Sequence, residues 1–277
     1  MDGIILINKE KGITSRDVVN QVCKKLNTRK VGHTGTLDPI ATGLMVLCVG
    51  EGLKLVELLT GHDKDYIAKV KLGIKTDTYD ITGKVLEEKD YYLEKDELIN
   101  VLNSFNGEYL QEVPIYSSIK VNGKKLYEYA RNNEEVVLPK HLVKVSNIKL
   151  LDFNKDSFTF KVTVSSGTYI RSLINDIGNK LGISMTMEEL TRTRVGEYSL
   201  NDATDIDNLN VIPITSLNIK KIEVGNSLLK KVSNGVKVEN NYQSNLIMFI
   251  HNNIPLAIYK EDNGVLKAYR VFNINKM

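Results

Sequence analysis

Residues 30–50 read KVGHTGTLDPIATGLMVLCVG. Gly32, Gly35, Gly43 and Pro39 all fall within residues 31–43. That density predicts a loop with unusual backbone angles. Leu44–Val49 is a continuous apolar run, the pattern of a buried strand. Upstream, Gly3–Asn8 reads as a second strand. Thr14 or Ser15 then offers an N-cap to a helix whose stripe is Val18, Val22 and Leu26, with Val19 and Cys23 beside it. Lys24, Lys25, Arg29 and Lys30 crowd the end of that helix, where they suit its dipole and could equally touch phosphates.

Downstream, Gly52–Thr60 predicts a short helix and Asp65–Leu72 an alternating strand. Asp77–Glu88 is turn-rich and strand-like. Glu94–Phe105 is an amphipathic helix with a capping signature before it. Strands are predicted at Ile115–Val121, Val136–Leu138, Leu142–Phe153, Phe158–Val164 and Arg194–Ser199. Helices are predicted at Lys125–Arg131, Thr168–Leu181 and Asp202–Leu209. After about residue 215 the strands Leu246–Ile250, Ile254–Lys260 and Val265–Phe272 are short and separated by Asn, Gly and Pro turns. The whole predicts an α+β fold. Its main domain spans 1–215, and a small β-rich C-terminal domain spans 216–277.

Composition narrows the class. With 277 residues, 42% hydrophobic and 26% charged, the chain has the ordinary globular balance. No apolar run approaches the roughly 18 residues of a membrane span. The N-terminus lacks the pattern of a secretory leader. Cys23 and Cys48 form no metal or redox spacing, which predicts a reduced, cytoplasmic compartment. The four histidines are scattered, which argues against a His-built metal site. The net charge is +3, but it is uneven: residues 9–75, 113–171 and 220–277 are basic blocks, and 76–112 and 172–219 are acidic. A basic face folded from distant segments suits a polyanion, although charge alone reads first as a mixed surface.

No phosphate-loop or dinucleotide glycine pattern is present, and Asp77–Asp80 does not continue as a calcium loop. From spacing alone Asp38-Pro39 is first of all a turn, and His33 a loop histidine.

The stretch 30–50 nevertheless resembles the catalytic motif of the bacterial tRNA pseudouridine synthase B family, and other motifs follow in order. Residues 9–15 (KEKGITS), Asp65-Tyr66, 72–78 (LGIKTDT), 114–120 (PIYSSIK), 123–131 (GKKLYEYAR) and 166–171 (SGTYIR) are each similar to a family block. The resemblance covers about residues 3–200. Glu10 stands where the family usually has proline. Val113 replaces the first of two prolines, and Ser118 stands where alanine is common.

The resemblance implies a pseudouridine synthase catalytic fold, a mixed and mainly antiparallel sheet flanked by helices, with a PUA-like C-terminal domain. It implies isomerisation of uridine-55 in the T loop of tRNA. The N-glycosidic bond breaks, the uracil turns, and a bond re-forms through C5. Asp38 is implied as the carboxylate that attacks C1′, attacks C6 or takes a sugar proton. A carboxylate working in a site emptied of water needs a cation beside it, and Arg171 is implied as that cation. Without the motif Arg171 would read as a surface arginine. The target base must be flipped out of its stack. His33 is implied to fill the vacated space, and Tyr66 to stack on the uracil and handle the C5 proton. Tyr169 and Leu190 are implied in the base pocket, with Lys9, Gly32 and Gly35 supporting the loop. By residue type alone, Tyr66 and Leu190 could be ordinary core side chains.

Lys24, Lys25, Arg29, Lys30, Lys64, Lys120, Lys124 and Arg131 are the candidates for the RNA backbone. The lysine pairs Lys220-Lys221 and Lys230-Lys231 could equally keep a surface soluble. No metal and no cofactor are expected, because the reaction is an isomerisation. A tRNA T arm is the expected partner, bound by a monomer needing no protein partner and no membrane. Two other readings stay open. One is a non-catalytic tRNA-binding and refolding protein. The other is a guide-RNA-dependent pseudouridine synthase.

Overall fold

The computed structural model describes residues 1–273, so the last four positions of the expected C-terminal domain, 274–277, lie outside the described residues. β1 (Gly3–Lys9) is the first apolar run, and a capping box starts α1 (Ser15–Lys25). Thr14 Oγ1 accepts from Asp17 N at 3.1 Å, and Asp17 Oδ2 accepts from Thr14 N at 2.9 Å. β2 (Val31–His33) is a short strand within the stretch expected to be all loop; it pairs with β3 (Thr42–Val49). A 3-10 turn at Gly50–Leu55 leads into α2 (Val56–Thr60), and β4 (Lys64–Leu72) follows.

β5 (Ile74–Thr76) and β6 (Val85–Glu88) make a small hairpin. α3 (Lys95–Asn103) then packs on the core, although its N-cap, Glu94, makes no capping bond, contrary to the expected signature. β7 (Gly107–Glu112) is an edge strand. β8 (Lys120–Val121) and β9 (Lys124–Lys125) turn on Asn122-Gly123, both left-handed at φ 51° and 82°. α4 (Leu126–Arg131), β10 (Lys140–Phe153), β11 (Ser157–Val164) and α5 (Ile170–Leu181) follow. β12 (Met185–Val195), β13 (Tyr198–Ser199) and β14 (Val211–Pro213) complete the main sheet.

Three expected elements are absent or cut short. The strand at 115–121 shrinks to β8, because the backbone before it serves other partners. Tyr116 O accepts from Arg171, and Ser117 O from Tyr127 N. Residues 136–138 join no ladder, and Val137 is 89% exposed. The helix at 202–209 is replaced by a 3-10 turn at Leu200–Asp202 and irregular backbone. Asp205 Oδ1 takes Asn208 N at 2.8 Å, a local bond that competes with helix. Thr204 bonds the free edge of β1 instead, through Leu6 O and Asn8 N.

The main sheet has ten strands, in the order β14-β1-β3-β12-β4-β11-β10-β7, with β2 on β3 and β13 on β12. Only the β3–β12 pairing is parallel, so the sheet is mixed and mainly antiparallel. α1, α3 and α5 cover one face through Val18, Val22, Leu98, Leu102, Leu173 and Ile177.

A second sheet follows: β15 (Lys220–Glu223), β16 (Val238–Glu239), β17 (Leu246–His251), β18 (Ile254–Asp262) and β19 (Val265–Val271), with α6 (Asn226–Ser233) packed on it. It sits on the other face of the main sheet. There Met248, Ile258 and Phe272 share a core with Ile4, Leu6, Leu44 and Val46. No helix among the described residues is long and apolar enough to cross a membrane.

The functionally decisive feature is the insertion of β12 between β3 and β4. It brings Arg192 opposite Tyr66 on one side and opposite Gly43 on the other. The backbones meet so closely at Gly43 (φ +102°) that a Cβ there would stand 2.4 Å from Arg192 O.

Candidate active site

Asp38 sits in the loop between β2 and β3. The expectation was that glycines give this loop its shape, but Gly32 and Gly35 lie outside the left-handed region and only Gly43 needs it. What holds the loop is a pair of buried cations. Lys9 Nζ donates to Ala41 O at 2.6 Å, Glu10 O at 2.9 Å and Pro39 O at 3.4 Å. From β12, Arg192 Nε donates to Leu44 O at 2.7 Å, and its two terminal nitrogens to Thr36 O and Gly35 O at 3.2 Å each. Ser15 adds a two-way tie: its Oγ accepts from Leu37 N at 2.8 Å and donates to Leu37 O at 2.9 Å. Thr14 caps α1, so Ser15 is free for this. The residue before Asp38 is thereby fixed at both its N–H and C=O, and the residues after it by Lys9.

Arg171, in the first turn of α5, faces Asp38. Its Nε lies 2.9 Å from Asp38 Oδ2; the arginine side chain is 6% exposed and the aspartate 41%. Arg171 also donates to Thr78 O at 2.9 Å and Tyr116 O at 3.0 Å, and Asp80 Oδ2 stands 3.9 Å away. The guanidinium is thus aimed by two carbonyls and cannot swing. Among the described residues only Oδ2 of Asp38 is engaged, and Asp38 lines a hollow of about 290 Å³. Asp65 makes a useful contrast. Both its oxygens are taken by Arg194, at 2.7 and 2.6 Å.

Tyr66, Tyr169, Leu190, Lys64 and Arg192 line the same hollow. Tyr66 and Leu190 are buried, and burial pushes the Tyr169 hydroxyl above its ordinary range. Two aromatic rings and a leucine beside an ion-paired carboxylate suit a flat, neutral, hydrogen-bonding ring such as a nucleobase. Among the described residues no group of three His, Cys, Asp or Glu side chains is placed to hold a metal ion.

The other sequence candidates fall into different places. His33 ends β2, just before the lining segment, and does not itself line the hollow. Burial, with Arg16 and Arg192 nearby, pushes its imidazole below the ordinary range, and Nδ1 has no partner. Lys9 is buried in the loop.

Lys64, grouped above with surface cations, is instead buried. It donates to Thr60 O and His62 O at 2.9 and 2.7 Å, and burial beside Arg192 pushes it down to about 8. Lys24, Arg29, Lys30, Lys120 and Arg131 are exposed. Lys25 faces Asp207 at 3.4 Å, and Lys124 pairs with Glu134. Lys124 and Arg131 lie over the rings of Tyr129 and Tyr127 at 4.7 and 5.2 Å.

Arg192 was not singled out in the sequence, and Ser15 only as a possible N-cap, a place Thr14 takes instead. Arg192 sits in a run, TRTR, that looks like a solvated strand, and only the register against Gly43 shows that it is buried.

A family profile described as "TruB family pseudouridylate synthase (N terminal domain)" matches residues 23–170. One described as "tRNA pseudouridylate synthase B C-terminal domain" matches 171–216. The chain is 42% identical over 275 residues to the tRNA pseudouridine synthase B of Clostridium tetani, covering 96% of this chain and 94% of that one. It is 39% identical over 301 residues to the protein of the same name from Bacillus subtilis, covering 98% and 97%. Among solved structures, an H/ACA RNP bound to a substrate RNA containing 2'-deoxyuridine includes a chain that superposes with a TM-score of 0.71 at 23% identity. The match covers 98% of this chain and 84% of that one, and is a likeness of fold.

Proposed function

The chain belongs to the TruB family of pseudouridylate synthases and makes pseudouridine in tRNA, and we propose that it acts on uridine-55 of the T loop in the Asp38 hollow. The carrying observation is a half-exposed Asp38, one oxygen held by Arg171, lining one hollow with Tyr66, Tyr169 and Leu190. The uridine leaves its stack at a cost of a few kcal/mol. Its uracil enters between the rings, and His33, next along the chain from the lining segment, is assigned to the space left in the loop. Asp38 supplies the carboxylate for attack at C1′ or C6, or for removal of a sugar proton. Arg171 holds its second oxygen and balances its charge.

The N1–C1′ bond breaks and C5–C1′ forms. The proton lost from C5 is replaced by one gained at N1, so uridine and pseudouridine have the same atoms. The Tyr66 hydroxyl is assigned to the C5 proton. No redox equivalent is consumed.

RNA phosphates would meet the exposed Lys24, Lys25, Arg29, Lys30, Lys120 and Arg131, with Lys124. These set affinity and salt dependence rather than base choice. Residues 1–215 carry the chemistry, and 216–277 add a surface for RNA. The protein works as a cytoplasmic monomer without a protein partner, since one chain supplies the whole reaction set.

The test is a T-arm hairpin tritiated at C5 of its uridines, incubated with purified protein and chelator. One tritium per hairpin should pass to water, and none when position 55 is cytidine. Release that requires an added guide RNA or protein would contradict the reading.

A further inference from the structure

The side chain of Gln111, at the end of β7, is 1% exposed yet touches only polar partners through its amide. Its Oε1 accepts from Tyr169 N at 2.7 Å, and its Nε2 donates to Tyr169 O at 3.1 Å. The amide thus grips one residue's backbone at both ends, as a neighbouring strand would. The second Nε2 hydrogen goes to the Tyr109 hydroxyl at 2.7 Å, which in turn donates to Asp176 Oδ2 at 3.3 Å. Turning the amide over would set oxygen against Tyr169 O and N–H against Tyr169 N–H, so its orientation is fixed.

Tyr169 is the N-cap of α5, and no side chain of its own caps the helix. The next turn carries Arg171. The turn before this helix is tied locally, Thr168 Oγ1 donating to Ser165 O at 2.9 Å, but Tyr169 itself has no side-chain cap, and its grip comes from a different strand. Ser172 makes the neighbouring tie from α5 to β7, with Oγ donating to Glu112 O at 2.8 Å, but it does not touch Tyr169.

We infer that Gln111 is a positioning residue for the reaction: by clamping the Tyr169 backbone it sets both the Tyr169 ring and the Arg171 guanidinium against Asp38. This rests on the reading of the Asp38 hollow as the reaction site. A misplacement of about 1 Å in such a constellation costs about a hundredfold in rate. The substrate still binds through its phosphates, so the loss falls on the chemical step.

The test is single-turnover conversion of the T-arm hairpin by the full-length protein, with hairpin affinity measured in parallel. Gln111→Met keeps the volume and removes all three bonds. It should lower the rate constant at least about tenfold and leave affinity within about threefold. Ser172→Ala removes a comparable buried tie between the same elements and should stay within about threefold in both. Gln111→Glu can restore the donor only when its carboxyl is protonated. Its rate relative to Gln111→Met should therefore rise as pH falls from about 8 to about 6.

A folded Gln111→Met with the wild-type rate overturns the inference. So do Gln111→Met and Ser172→Ala losing rate in proportion to their melting temperatures. If Gln111→Met does not fold, a Gln111→Glu rate that keeps a pH-independent ratio to wild type overturns it instead. Failure of the underlying reading looks different, since wild type itself would then convert nothing.

Discussion

At the residue scale, two carboxylates have opposite fates. Asp38 is half-open and ion-paired, whereas Asp176, on α5, is sunk behind Tyr109. Burial, reinforced by Glu112 and opposed by Tyr109 and Lys140, pushes the Asp176 carboxyl up to about 6. The folded state therefore binds that proton more tightly than the unfolded chain does. The stabilisation is full below about pH 4 and is lost as pH rises through about 6. Asp176→Asn should be more stable than wild type by about 1–3 kcal/mol at pH 7.5 in denaturant unfolding, with the gap closing below about pH 4. A gap that is the same at both pH values would refute this origin.

Asp38 and Arg171, which the structure pairs, could be singled out because each lies in an unbroken run of family-like residues. The roles of Gln111, Ser15 and Arg192 could not be read. Their work is hydrogen bonding to backbone carbonyls and N–H groups 22 to 157 positions away, and no local pattern marks that.

At the element scale, the apolar runs and turn signals located most strands and helices. β1, β3, β4, β10 and β11 lie close to where those signals put them. β12 was missed over most of its length. An irregularity in its register with β4 falls between Met187 and Glu189, which breaks the alternation, and Arg192 occupies a buried position. Yet this strand makes the site, because it places Leu190 and Arg192 beside Tyr66 and the Asp38 loop.

Its tight seam with β3 gives a sharp prediction. Gly43→Ala must either push Arg192 away or open the parallel pairing. It should destabilise the fold by at least about 2 kcal/mol and lower the rate more than Ala at Gly35, whose Cβ would have room. Equal stabilities of the two variants in urea titration would contradict the seam.

At the scale of the whole molecule, the second sheet covers the face of β1 and β3 opposite the helices. Apolar packing is joined by charge. Arg270 pairs with Glu57 and donates to Lys54 O, and Lys54 Nζ donates to Val271 O. The change in sequence character near residue 215 was visible. The shared core was not, because the continuous apolar runs of β1 and β3 show that both faces are covered but not by what. A chain ending at residue 216 should expose Ile4, Leu6 and Val46, melt at least about 5 °C lower than the full chain, and bind an apolar dye. An unchanged melting temperature would show that the second sheet contributes nothing to the first.

The central claim is that Asp38 carries the chemistry in a loop built to hold it still. The most direct measurement compares wild type and Asp38→Asn on one T-arm hairpin. It records binding by filter retention and pseudouridine by mass-resolved nucleoside analysis after a single turnover. The near-isosteric change keeps an oxygen within reach of Arg171 but removes the carboxylate. The account predicts retained binding, within about tenfold, and no detectable pseudouridine, a fall of at least about 10³-fold. Product formed by Asp38→Asn at a rate near wild type would contradict it.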